Sequence, residues 1–152
     1  MQVRTRWLIP GRVIFAQAVG DLTHMDFDAF VADIVQLYAE ATGELHFVQD
    51  LRFVTQPNMN LGNVRKLLLL ARDFSGWYLQ FGQHENRVLG FLALATARLL
   101  SIRTKSIFKD YTALRRFLMA YDPTLEFPEV PPMLFTREEL REHLPEELLA
   151  QL

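Results

Sequence analysis

Along this chain the spacing of apolar residues switches repeatedly between two periods, and that switching restricts the fold more than any other feature. Segments with strand-like apolar patterns alternate with segments spaced as a helix requires. Val3 to Ile9 reads as a first strand and Arg12 to Val19 as a second, joined by Pro10-Gly11. So short a link favours an antiparallel hairpin. Beyond Gly20-Asp21-Leu22-Thr23, the residues Phe27, Phe30, Val31, Ile34 and Tyr38 recur at helical spacing. Thr23 reads as the N-cap, with Asp26 three residues on completing a capping box. Thr42-Gly43 ends that helix, with glycine near the position a left-handed C-terminal residue needs.

Leu45 to Asp50 reads as a third strand, Leu51 to Gly62 as a polar loop, and Asn63 to Arg72 as a second helix. Ser75-Gly76 turns the chain into a fourth strand, Trp77 to Gly82. Asn86 caps a third helix that starts at Arg87 and ends near Leu100. Arg103 to Lys109 reads as a fifth strand, and Asp110 caps a helix from Tyr111 to Tyr121. The order ββαβαβαβα predicts an α/β domain: one mixed, mostly parallel five-stranded sheet with helices packed on it. Right-handed crossovers restrict the topologies it can adopt.

Residues 1–122 form that domain in this reading, and 123–152 form an added arm. Pro123, Pro128, Pro131 and Pro132 favour an extended stretch. Thr136-Arg137-Glu138-Glu139 is a capping box for a short helix, which Pro145 interrupts or restarts. Leu140, Leu144 and Leu148 share one face, so the arm packs either on its own domain or on a second subunit.

The chain of 152 residues is half hydrophobic and 22% charged, enough apolar material for a full core. Its net charge of −2 supplies no basic field for nucleic acid or an anionic membrane. Cysteine is absent, which excludes disulfides, Cys-ligated metals and thiol catalysis. The start of the chain lacks the apolar core of a signal peptide, and its longest apolar stretch, Val88 to Leu100, is too short to span a bilayer. A soluble, cytoplasmic protein is the expectation.

Three stretches resemble the SpoIIAA-like branch of the STAS-like fold, the family of sulfate transporter and anti-sigma factor antagonist domains. The first is Gly11-Arg-Val-Ile-Phe-Ala-Gln-Ala-Val-Gly-Asp-Leu-Thr23, a strand that runs into a helix rich in Phe and Asp. The second is Leu45-His-Phe-Val-Gln-Asp50. The third is Ser106-Ile-Phe-Lys-Asp-Tyr-Thr-Ala-Leu-Arg-Arg-Phe-Leu118, similar to the family's closing strand and helix. The resemblance covers roughly Val3 to Tyr121. It implies a small cytoplasmic α/β module that binds protein partners and, in some members, nucleotides or lipids; with no catalytic constellation in the chain, a non-catalytic role without a cofactor is the expectation. It also implies a phosphorylatable Ser or Thr at the start of the helix after the third strand. This chain has Asn58-Met-Asn-Leu-Gly-Asn63 there, with Thr55 the nearest hydroxyl.

Ligands of open α/β sheets dock at the carboxyl ends of strands. That places Asp50, Arg52, Thr55, Asn58, Asn60 and Asn63 in the first candidate site, with a helix N-terminus suited to an anion or a phosphorylated partner. Asn at such positions also serves merely to cap helices and hold turns. Gln83-His84-Glu85-Asn86-Arg87 is the second candidate. His84 and Glu85 offer an acid–base pair for a hydrolase or transferase, and Arg87 an anion contact, but a polar turn with an N-cap explains them better, since nothing supplies a nucleophile or an orienting group. None of His24, His46, His84 and His143 is paired at helical metal spacing, so no metal site is expected. The helix after Asn86 is apolar nearly all round, and Gly90, Phe91, Leu94 and Ala97 are candidate residues of a homodimer interface. A small apolar ligand or lipid held in a pocket beneath the Asp50 and His84 loops is the alternative to a protein partner.

Overall fold

The computed structural model describes residues 2–22, 26–56, 61–82, 101–104 and 108–150. Four strands form one mixed sheet: β1 (Val3–Ile9), β2 (Val13–Asp21), β3 (His46–Gln56) and β4 (Tyr78–Phe81), in the order β1-β2-β3-β4. The helices are α1 (Phe27–Ala39), α2 (Leu61–Arg72), α3 (Tyr111–Tyr121), α4 (Arg137–His143) and α5 (Glu146–Leu149).

β1 and β2 pair antiparallel, as the short link requires. Arg12 N–H donates to Ile9 C=O at 3.0 Å, closing a four-residue turn. Pro10 fits the second place of that turn, and Gly11 takes φ 70° at the third. That conformation is the one a type II turn demands and a side chain resists. β2–β3 and β3–β4 are parallel. Beyond β4, Tyr78 pairs with Thr104 and Phe81 with Phe108 in isolated parallel bridges. Both bridges fall within the segment expected as a fifth strand, Arg103 to Lys109, of which residues 105–107 lie outside the described residues.

Both faces of the sheet are covered, so β2 is buried from Val13 to Gly20. One face carries Ile14, Ala16, Ala18 and Phe47 against Phe27, Phe30 and Ile34 of α1. The opposite face carries Val13, Phe15, Val48, Leu79 and Phe81 against Tyr111, Leu114 and Leu118 of α3. Asp110 caps α3 by accepting from Ala113 N–H at 2.9 Å.

The arm belongs to this second face. Leu125 and Phe127 extend the α3 cluster, and Phe135, Leu140 and Leu144 pack on Val19 and Phe53. Leu148 is partly buried beside them. Arg4 of β1 reaches the arm from the sheet edge. Its guanidinium donates to Leu134 C=O at 2.8 Å and to Glu139, and sits 4.5 Å from the Phe135 ring centre. Arg4 and the Thr136 amide hold the Glu139 carboxyl down at about 2. The capping box at Thr136 and Glu139 forms as expected, and Pro145 separates α4 from α5.

Two expectations need correction. Asp26, not Thr23, caps α1: its Oδ1 accepts from Ala29 N–H at 3.0 Å, because the helix begins at Phe27. The third strand does not end at Asp50. It continues to Gln56, because β2 stays extended to Asp21 and pairs with it throughout. The helix expected from Arg87 to Leu100 lies outside the described residues.

If the arm is part of the same core as α3, Leu140→Ala and Leu114→Ala each cost about 2–5 kcal/mol. Both should shift a single urea transition followed by circular dichroism. A separate early transition in Leu140→Ala would show that the arm folds on its own.

Candidate functional site

The extra length of β3 contains a bulge. Gln17 pairs with Asp50 but Val19 pairs with Phe53, so three steps on β3 answer two on β2. A bulge breaks strict alternation and re-aims side chains. Here it leaves Leu51 packed on the α1 face, while Asp50, Arg52 and Phe53 all serve the arm-covered face. Gly82 supports the bulge from β4. Its φ is 117°, and a Cβ there would come within 2.7 Å of the Arg52 amide nitrogen.

Asp50 is fully buried. A buried carboxylate requires donors, and this one receives four. Oδ1 accepts from Arg52 N–H at 3.1 Å and from Arg52 Nε at 3.0 Å. Oδ2 accepts from Arg52 Nη2 at 2.8 Å and from Gln17 Nε2 at 2.8 Å. A carboxylate has about four lone-pair sites, so none is left over. The Arg52 guanidinium lies 4.9 Å from the Phe53 ring centre and 5.4 Å from that of Phe81. Gln17, also fully buried, is the link to the arm. Its Oε1 accepts from Leu134 N–H at 2.8 Å, and Met133 Sδ sits 3.6 Å from its Nε2.

The first candidate site therefore divides. Asp50 and Arg52 join, but inside the fold and within β3, not in a loop at its end. The reason is the pairing of β3 with β2 beyond Asp50. Thr55 is exposed near the end of β3. Asn63 stands in the first turn of α2, partly buried. Asn58, Asn60, His84, Arg87, Gly90, Phe91, Leu94 and Ala97 lie outside the described residues. Gln17 was missed as a partner of Asp50. Its signal was there: one amide in the otherwise apolar run Val13 to Val19.

A second polar cluster surrounds the start of β3. His46 is fully buried. Trp77 N–H donates to its Nδ1 at 3.0 Å, which fixes the proton of the neutral ring on Nε2. Nε2 makes no hydrogen bond, and Glu44 Oε2 lies 3.9 Å from it. Glu44 accepts from Tyr121 O–H at 2.9 Å and from Arg103 Nη1 at 3.0 Å. Arg12 donates to Asp122 Oδ2 at 2.6 Å. Burial pushes the His46 pKa below its ordinary 6.5; Glu44 and Asp122 oppose that shift, while Arg12 and Arg103 reinforce it. On the other sheet face Gln49 Oε1 accepts from Tyr78 O–H and Gln80 Nε2, each at 2.8 Å. Burial drives the Tyr78 phenol pKa upward, so it remains a donor.

Among the described residues no group of three or more His, Asp or Glu is placed to hold a metal, and no helix is long and apolar enough to cross a membrane. No protein-family model matches the chain, and no curated protein matches it.

Two measurements check this geometry. Asp50→Asn removes the charge that Arg52 and Gln17 enclose, and should cost about 3 kcal/mol in urea denaturation. The second concerns pH. The folded pKa of His46 is depressed, so its neutral form is native. Its stabilisation is complete above 6.5 and is lost as pH falls through the lower folded value. Wild-type stability should drop between pH 7.5 and 5 more steeply than that of His46→Asn, whose amide oxygen offers Trp77 an acceptor without titrating. Parallel slopes would remove His46 as the cause.

Proposed function

We propose that this chain is a non-catalytic protein-interaction module on a STAS-like scaffold, and that its partner docks on the rim formed by Thr55 and the start of α2. The observation that carries this reading is the saturated carboxylate of Asp50. A general base or nucleophile needs a lone pair directed at substrate. Asp50 has all of its own committed to Gln17 and Arg52. The chemistry available in the middle of β3 is spent on holding the arm in place.

The scaffold supports the same reading. An antiparallel hairpin followed by two parallel strands in spatial order accords with the resemblance in Gly11 to Thr23 and Leu45 to Asp50. Thr55 stays exposed above the buried pair. The start of a helix is the positive end of its dipole, which favours an acidic or phosphorylated surface on the partner.

Affinity capture from cell extract tests the proposal. Wild-type protein should retain a reproducible partner, and Thr55→Arg should lose it while keeping the wild-type denaturation midpoint. Failure to recover a partner, or a partner indifferent to Thr55→Arg, would overturn the reading. A small molecule retained in native mass spectrometry would move the function to an apolar pocket.

A further inference from the structure

α1 and α2 lie side by side and run in the same direction. Lys66 Nζ, halfway along α2, is 3.3 Å from Asp28 Oδ1 at the start of α1; near their ends Tyr38 O–H donates to Asp73 C=O at 3.1 Å. The inner side of α1 packs on the sheet, and Leu70 of α2 packs against the same cluster. Their outer sides leave large apolar residues in water: Val35 is 51% exposed, Tyr38 42% and Leu69 37%. Ala32 and Ala39 are exposed on the same stripe of α1 as Val35, at spacings of three and four. The contacts at the two ends place Leu69 between them, beside this stripe. Exposed apolar residues scattered singly are ordinary, but a stripe shared by two adjacent helices marks a contact surface.

The charges around the stripe are sorted by helix. From Asp26 to Glu40 the chain carries Asp26, Asp28, Asp33 and Glu40 and no Lys or Arg. From Leu61 to Arg72 it carries Arg65, Lys66 and Arg72, and the one acid at its end, Asp73, lies 4.0 Å from Arg72. Arg65, Leu69 and Arg72 fall at i, i+4 and i+7, all exposed. The surface is thus an acidic helix beside a basic helix with an apolar seam between them. Such a surface is complementary to itself.

We infer that α1 and α2 form the interface of a homodimer, in which α1 of each chain rests on α2 of the other. A twofold axis running along the seam, parallel to the helices, brings each acidic α1 over the basic α2 of the partner. An axis perpendicular to the helices in the same plane would set acid on acid and base on base. Charge therefore selects the first arrangement, an isologous contact in which each pairing occurs twice. Val35 and Leu69 then meet near the axis and lose their water. The charges at the edge set the register. This surface differs from the expected one at Gly90, Phe91, Leu94 and Ala97, and it does not depend on a partner at Thr55.

Sedimentation equilibrium at micromolar concentration tests the inference. The wild-type chain should have twice the chain mass, and Val35→Asp the mass of one chain. Two charge-reversed forms make the test specific. One carries Asp28→Arg with Asp33→Arg, so that neither of its helices is acidic. The other carries Arg65→Glu with Arg72→Glu, so that both are acidic. Each alone should be monomeric, and an equimolar mixture should recover the dimer mass. Misfolded variants would not be rescued by mixing, and Val35→Asp, altered at an exposed position, reads the same surface without charge reversal. A monomeric wild type, or reversed forms that dimerise by themselves, would overturn the inference. A monomer that still captures a Thr55-dependent partner would overturn it and leave the proposed function standing.

Discussion

The burial of one carboxylate in the middle of the sheet sets the terms for the rest of this structure. Asp50 lies where β3 passes beneath the arm, away from water. A charge in that position persists only if it is paired and hydrogen-bonded. Arg52 can reach it because both residues lie on one side of the strand, and the bulge keeps Phe53 on that side as well, next to the guanidinium. The bulge in turn needs Gly82, whose missing side chain leaves room for the backbone at Arg52. Gln17 supplies the fourth donor and passes the constraint to the arm through the Leu134 amide. Sheet, bulge and arm are thereby one device. Apolar packing of Phe135, Leu140 and Leu144 supplies adhesion that has no fixed register, while the amide of Gln17 specifies where the arm lies.

Much of this was legible in the residues. The Pro10-Gly11 hairpin, the Asp110 cap, the Thr136 capping box and the leucine face of the arm all rest on local rules, and local rules act within a few residues. The end of β3 was not legible in that way. Leu51 to Gln56 mixes Arg, Thr and Gln with apolar residues, which reads as a loop until β2 is seen to pair with it. Pairing is a tertiary fact, and it overrides local polarity. The same blindness hid the fate of Asp50. A carboxylate followed by Arg at the second place beyond it suggests an exposed binding edge. Only the arm, more than 80 positions further along the sequence at Leu134, turns it into an interior pair. Gln17 was visible as an oddity in an apolar strand, but its partners were not.

The two ends of β3 are organised by opposite electrostatic solutions. At its start His46 is buried neutral, held by a backbone donor and ringed by charges that largely pair with one another. At its centre Asp50 is buried with a full set of donors. The first arrangement responds to pH in the range where imidazole titrates, because a charged His46 would lose the bond from Trp77. The second works as a clamp. The surfaces proposed for partners, the Thr55 rim and the α1–α2 seam, lie outside the clamp.

The central claim is that Asp50 fastens the arm through Gln17. Hydrogen exchange at the Leu134 amide tests it most directly, since that group bonds to the Gln17 side chain alone among the contacts described. The account predicts a protected Leu134 amide in the wild type. It predicts exchange at least about fivefold faster in Asp50→Ala, the factor that corresponds to about 1 kcal/mol of hydrogen-bond free energy, with α3 amides unchanged. A Leu134 amide that exchanges freely in the wild type, or one that ignores Asp50→Ala, would contradict it.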